Sequence, residues 1–424
     1  MNNDINRFDG FIKEVEYAYE NVPFYKKKLD DLGIKLDAIK AESFSEQLPL
    51  TEKKDYRKNF PMGVLAKGFS LNHPMLNKSQ SSGTTGERLV TFEIGMNLLN
   101  RAIACTRSFP VISDVFLEKG RKICRYAAPN CSDVECANPH STMDDRLLAD
   151  GTLVLPVYHD LLTTSELLID RAIEEIIAFK PDLYYVDPTH FAFLARQFKK
   201  RNIELPVAPV VTSYSAATAV SRRQISDAFA NGNPIAEFLS SSEMGWLAME
   251  CPHGNLHLNE ESYFFEFISL NLDMRGEPSL FELCITSIDQ GALPHIRYKT
   301  GDIVSLGESQ CDCQNNNRVI RMEGRTTHFV NQNGDFVLSP KQVDDLISEP
   351  EWLDLYQFEQ KSELRFTLKA IVNECYQAGD ERTVIDRLIK NLKSNSEIKI
   401  DIVDYISSER SGKFQSVKGL GLNE

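Results

Sequence analysis

No run of 18 apolar side chains occurs anywhere in the 424 residues, so no segment reads as a membrane-spanning helix. The opening MNNDINRFDGFIKE lacks the basic stretch followed by an apolar core that marks a secretory signal. The expectation is a cytoplasmic protein with no membrane partner. Basic charge is in deficit: 47 Lys and Arg against 61 Asp and Glu leave a net charge of −14. That balance argues against nucleic acid as a partner, yet a small anion held by local donors stays open. Internal repeats and long disordered tracts are also missing. What remains, 42% hydrophobic and 25% charged residues, is the composition of a soluble globular protein long enough for two or more domains. In a reducing compartment its nine cysteines read as buried residues or metal ligands rather than disulfides.

Against this ordinary background one stretch stands out. Residues 79–91 read SQSSGTTGERLVT, with Ser, Thr or Gly at seven of the first eight positions. Strand formers Leu89, Val90, Thr91 and Phe92 follow directly. A glycine turn before a strand can aim backbone N–H groups at an anion while hydroxyls add donors. A plain turn or a flexible linker is the alternative, and these residues alone do not decide between them. The loop is not a Walker loop, because the Gly-Lys-Ser/Thr ending is missing.

Periodicity predicts helices over 5–33 (broken at Pro23 and ended by Gly33), 52–60, 93–110 and 162–179. Apolar runs at Leu153–Val157, Leu183–Val186 and Pro206–Thr212 read as strands. Their alternation with helices predicts an α/β domain with a mostly parallel sheet. Residues 256–306 read instead as an antiparallel subdomain. Beyond Gly324-Arg325 the pattern changes again: a hairpin turning at Asn333-Gly334, then a helix (341–348), a strand (363–372), a helix (380–393) and a strand (397–405). This predicts a small α+β domain, with 1–325 as the N-terminal domain and 326–424 as the C-terminal one. Cys105, Cys124, Cys284 and Cys375 each sit alone and are expected in the core.

Four further loops carry charge beside small residues: FLSSSEMG (238–245) with Glu243, RYKTGD (297–302) with Asp302, EGRTTHF (323–329) with Arg325, and SERSGKF (408–414) with Lys413 in a glycine turn expected to be exposed. Singly, each reads as a solvated charge. All five loops together, in this order, resemble the adenylate-forming ligases: acyl-CoA synthetases, luciferases and peptide-synthetase adenylation domains. Within them the chain looks most like the phenylacetate–CoA ligase branch. The likeness takes in YENVPFYKKKLDDLGI, LPLTEKKDYRKNFPMG, SSGTTG, LHLNEE and SGKF, nearly the whole chain.

The resemblance implies a carboxylic acid activated by ATP as acyl-AMP and passed to a thiol, most simply coenzyme A. Charge developing at the phosphates calls for donors and cations. By this resemblance Ser81, Ser82, Gly83, Thr84, Thr85 and Gly86 cradle the β- and γ-phosphates, with Arg88 supplying charge where relatives often carry Lys-Pro after the loop. Glu243 holds Mg²⁺, and Ser242 beside it is counted with the nucleotide-binding residues. Asp302 accepts the ribose hydroxyls, Arg325 reinforces ribose or phosphate, and Lys413 bridges the substrate carboxylate and the α-phosphate as a mobile point charge. Leu239 stands where relatives place an adenine-stacking aromatic, which turns attention to Tyr214. Thr327 stands where they place a hinge Asp. The small domain is expected to act as a mobile lid that rotates between the two half-reactions.

A second constellation, Cys251, His257, Cys311 and Cys313, fits four thiolate or imidazole ligands of a structural zinc, with His253 as substitute; surface cysteines are the alternative. Cys131, Cys136 and His140 form a weaker cluster. Phe109, Tyr158, His159 and Trp246 are the candidate lining of the acid pocket, in competition with ordinary packing. The acid reads as an aryl or small organic one. Delivery to an amine or to a separate carrier protein, and nucleotide binding without turnover, remain alternatives; a homodimer is left open.

Overall fold

A computed structural model describes residues 2–39, 43–80, 89–128, 138–229, 232–270, 279–307 and 311–421. The glycine-rich loop (Ser81–Gly86 and Arg88) lies outside the described residues, as do Cys131 and Cys136.

Two N-terminal helices, Asn2–Asn21 and Pro23–Asp31, meet at Val22, and Pro23 opens the second, where its missing N–H costs nothing. Phe11, Val15 and Ala18 of the first helix are buried with Phe265, Leu283 and Ile285 of the strands beneath. The expected helix at 93–110 is three pieces: strand Val90–Ile94, helix Gly95–Thr106 and helix Pro110–Leu117. Pro110 accounts for the break, since a proline inside a helix removes a hydrogen bond and clashes with the preceding turn.

Parallel and antiparallel parts are halves of one eleven-stranded sheet. In the parallel half, Thr152–Val154, Ile123–Tyr126, Leu183–Val186, Val210–Thr212 and Ile235–Ser241 lie side by side. Helices Glu166–Phe179 and Pro188–Lys200 cover it through a shared apolar core. In the antiparallel half, Gly245–Glu250, Leu256–Leu258, Val319–Arg325, Tyr298–Leu306, Leu280–Ser287 and Tyr263–Ser269 follow in that order. Ile235–Ser241 is the seam, pairing parallel to Val210–Thr212 and antiparallel to Gly245–Glu250. The Ser/Glu loop therefore leaves the carboxyl end of the seam strand, where ligands of open α/β sheets bind.

After Arg325 comes the expected hairpin, Val330–Gln332 with Asp335–Leu338, whose Asn333 and Gly334 both have positive φ (59° and 78°) as a tight primed turn needs. Helix Pro340–Ile347 starts with a reciprocal cap between Ser339 and Gln342. A four-stranded sheet then orders Glu397–Ile402, Arg365–Val372, Leu353–Ser362 and Val417–Lys418 over its own core. Leu353–Ser362 and the short Val417–Lys418 are the strands here that pattern reading omits. Cys105, Cys124 and Cys284 are buried as expected, but Cys375 is exposed, in the loop ahead of helix Glu381–Asn391.

Candidate active site

A cavity of about 280 Å³ opens between the seam of the large sheet and the C-terminal sheet. Tyr214, Leu239, Asp302, Arg325 and Lys413 all line it. Asp302 and Arg325 face each other across paired strands, and Arg325 Nε donates to Asp302 Oδ1 at 2.9 Å. Asp302 holds the guanidinium even further above its ordinary range. Gly301 takes positive φ (77°), and the Thr300 hydroxyl accepts the Asp302 N–H at 3.0 Å, so the Thr-Gly-Asp turn is locally specified.

Lys413 is brought in from the far end of the chain. Its Nζ donates to the Tyr214 carbonyl at 2.6 Å. The turn that carries it closes on itself, Gly412 N–H to Glu409 O at 2.7 Å and Glu409 N–H to Lys413 O at 2.9 Å. This turn is not exposed as expected: Ser411 and Gly412 are buried and Lys413 is half-buried. The reason is docking. Arg223 donates to the carbonyls of Ser348 and Pro350 (2.8 and 2.9 Å) past the end of helix Pro340–Ile347, where cations are favoured. Arg196 donates to Asp354 O at 2.6 Å.

Tyr214 is in the left-handed region (φ 71°), which places its carbonyl toward Lys413 and its ring 5.4 Å from Tyr185. An observed strain of this kind at a ligand-sized cavity is a mark of a functional position. The cavity also holds two ionisable groups that the motifs do not single out. Burial, reinforced by the neighbouring Glu250, pushes Glu237 up to about 7. Burial and the proximity of Arg325 lower His328.

Glu243 is buried one turn beyond the seam strand. Its Oε1 lies 3.4 Å from Lys53 Nζ and 3.5 Å from the Tyr298 hydroxyl. Burial lowers Lys53, and the carboxylate offsets part of that shift. A single carboxylate here suits a hard cation that arrives with phosphate oxygens as its other ligands. Lys53 went unassigned in the sequence, although it sits in the LPLTEKKDY stretch; its partner is 190 positions away. Ser242 contributes its carbonyl to the local structure, accepting the Thr91 hydroxyl at 2.9 Å.

The four acid-pocket candidates fall into two groups. Phe109 and Trp246 share an aromatic cluster in which Trp246 packs 4.1 Å from Phe238 and stacks on Tyr185. Tyr158 and His159 are not members of that cluster: Tyr158 has its ring 6.1 Å from exposed His140, and His159 backs onto Gly412, beside Lys413.

Cys251, His257, Cys311 and Cys313 do converge, with all four ligand atoms within 4.8 Å of one another. Cys251 Sγ to Cys311 Sγ is 3.6 Å and Cys313 Sγ to His257 Nε2 is 3.2 Å. Ligands on a tetrahedral ion with bonds of about 2.0–2.3 Å lie roughly 3.3–3.8 Å apart, so the set fits zinc. His257 Nδ1 pairs with the Asn317 carbonyl at 3.0 Å, which leaves Nε2 for a metal. Burial opposes ionisation of Cys311, yet hydrogen bonds from Cys313 N–H, Asn255 and His257 bring it down to about 6; burial and the neighbouring sulfurs push Cys313 up to about 12. Pairing of His257 with Val319 across adjacent strands brings the two loops together. His253 is exposed and outside the group, so it is not the substitute ligand.

A sequence profile described as the CapK C-terminal domain matches residues 329–419. A phenylacetate-coenzyme A ligase of Thermus thermophilus is 24% identical over 360 residues, covering 81% of this chain and 75% of that protein. Protein CapK of Staphylococcus aureus is 23% identical over 420 residues, covering 96% and 86%. Among solved structures, a 2-hydroxyisobutyryl-CoA ligase in its postadenylation state with an acyl-AMP superposes with a TM-score of 0.73 at 16% identity, covering 97% of this chain and 88% of that one. The same ligase in its thioesterification state scores 0.57, covering 96% and 88%.

Proposed function

We propose that the chain is an adenylate-forming enzyme of the phenylacetate–CoA ligase-like branch, which activates a carboxylic acid with ATP and transfers the acyl group to the thiol of coenzyme A. In the first step a carboxylate oxygen attacks the α-phosphorus and pyrophosphate leaves, giving acyl-AMP. In the second the thiol sulfur attacks the acyl carbon, AMP leaves with the bridging oxygen, and the thiol proton passes to solvent.

One observation carries this reading: Lys413, from near the end of the chain, lines one ligand-sized cavity together with Asp302 and Arg325 of two paired strands. Lys413 would leave the Tyr214 carbonyl to bridge carboxylate and α-phosphate. Asp302 would accept the ribose hydroxyls, with its own orientation held by Arg325. Tyr214 would flank the adenine in place of the aromatic that Leu239 replaces, and Ser81–Gly86 with Arg88 would hold the β- and γ-phosphates. Glu243 would hold Mg²⁺, which neutralises charge on the departing pyrophosphate. Residues 326–424 would act as the lid, withdrawing Lys413 for the second step. Cys251, His257, Cys311 and Cys313 would hold a structural zinc. Phe109 and Trp246 are the better acid-pocket candidates, because the aromatic cluster they share reaches Tyr214; their chemistry suits an aryl or small organic acid.

The test is pyrophosphate release across a panel of aryl and small organic acids, with and without coenzyme A. Release that depends on the acid without coenzyme A, with a thioester formed on its addition, supports the reading. Acid-independent hydrolysis, or none with any acid, refutes it.

A further inference from the structure

Glu243 hangs from a turn whose two flanking carbonyls are both anchored from outside the turn. Before it, Ser242 O accepts the Thr91 hydroxyl at 2.9 Å. After it, Met244 O accepts Arg101 Nη1 at 2.9 Å and the Tyr263 hydroxyl as well. The turn itself is tight: Met244 N–H donates to Ser241 Oγ at 3.1 Å, Gly245 has φ 81°, and a β-carbon there would lie 3.1 Å from Leu98.

These anchors are rigid. Thr91 is buried, on strand Val90–Ile94. That strand pairs antiparallel with Leu76–Gln80, Thr91 opposite Ser79. Arg101 is buried in helix Gly95–Thr106, and its remaining nitrogens bind Asp289 (2.7 and 2.8 Å) and face Glu93 at 3.2 Å. A guanidinium held at three points has little freedom to swing. With one pin on each side, the backbone of Glu243 cannot rotate without breaking a buried hydrogen bond, and a buried carbonyl left unpaired is costly.

We infer that Thr91 and Arg101 are positioning residues: they pin the carbonyls of Ser242 and Met244 so that the Glu243 carboxylate is held in one place. This rests on the reading of Glu243 as the Mg²⁺ ligand. Thr91 braces the near side of the turn through one hydroxyl, and Arg101 with Tyr263 braces the far side. Pre-setting one ligand spares the ordering that metal binding would otherwise require.

Thr91→Val keeps the shape and removes the hydroxyl; Thr91→Ser restores it. The readout is the free Mg²⁺ concentration giving half-maximal acid-dependent ATP–pyrophosphate exchange, beside thermal melting. Thr91→Val is expected to raise that concentration by about three- to tenfold, the net scale of one hydrogen bond, with Thr91→Ser close to wild type. Tyr263→Phe, which removes a second pin and keeps the ring, is expected to shift it in the same direction and serves if Thr91→Val fails to fold. Glu243→Gln is the reference. If Glu243→Gln shifts the Mg²⁺ response while Thr91→Val and Tyr263→Phe leave it unchanged, the pinning role is overturned. If Glu243→Gln itself leaves it unchanged, the Glu243 reading fails and the inference falls with it.

Discussion

Gly412 backs directly onto His159: a β-carbon at Gly412 would lie 3.0 Å from the His159 carbonyl and 2.6 Å from Ala128 Cβ. With φ at 78° the position is also unfavourable for any side chain. Gly412→Ala should therefore obstruct docking of the Lys413 turn. The expected result is acyl-AMP formation slowed by about tenfold or more, from ~1–3 kcal/mol of strain and clash. Thioester formation from synthetic acyl-AMP should be spared. Equal loss in both half-reactions would mean that the docked turn has no special part in the first.

Lys413→Ala should remove most acyl-AMP formation without unfolding the protein, since its half-buried ammonium makes a hydrogen bond to a carbonyl rather than a buried ion pair. Loss of one charged contact to the transition state is worth ~3 kcal/mol. Unchanged exchange of pyrophosphate into ATP would remove Lys413 from the chemistry.

A pH effect follows from two buried acids, Glu14 on the N-terminal helix and Glu93 on strand Val90–Ile94. Burial raises Glu14 and Glu93 each to about 8, from an ordinary value of 4.5. Below 4.5 both folded and unfolded chains hold these protons. As pH rises from 4.5 toward 8 the unfolded chain loses them first, so it binds fewer protons and stability falls; above 8 the slope flattens. Glu14 accepts the Gln290 N–H at 2.8 Å, which a glutamine carbonyl can still do. Glu14→Gln should flatten the decline in melting temperature between pH 5.5 and 8.5. A decline as steep as wild type would show that Glu14 does not carry it.

Carefully desalted protein should contain about one zinc per chain, bound by a closed four-ligand set. Cys311→Ser and Cys313→Ser should each lower the melting temperature, because metal binding is part of the folding free energy. None of the four ligands coincides with Glu243, Asp302, Arg325 or Lys413, so activity should follow stability rather than fall first. Zinc near zero, with unchanged melting, would leave these as ordinary thiols.

Local chemistry made several of these features legible. Pro23 and Asn333-Gly334 mark boundaries by steric and backbone rules that act within a few residues. The grouping of Cys251, His257, Cys311 and Cys313 was legible because thiols in a polar loop have few uses as packing residues. Leu353–Ser362 was not, because both its faces are covered: Gln357 and Gln360 are buried beside Phe358, so the alternation that signals a half-exposed strand is absent. Lys53 hid in a charge-rich helix of ordinary surface appearance, and only the tertiary fold sets it against Glu243. Tyr158 and His159 fall outside the cluster that Phe109 and Trp246 share, a partition that no spacing could reveal.

The central claim is that the acid is activated as a mixed anhydride with AMP, and isotope transfer addresses it most directly. An accepted acid labelled with ¹⁸O in its carboxylate is turned over with ATP and coenzyme A, and the nucleotide product is weighed by mass spectrometry. Attack on the α-phosphorus followed by thiol displacement predicts AMP carrying one ¹⁸O from the acid. Unlabelled AMP, or ADP with the label in inorganic phosphate, would contradict it.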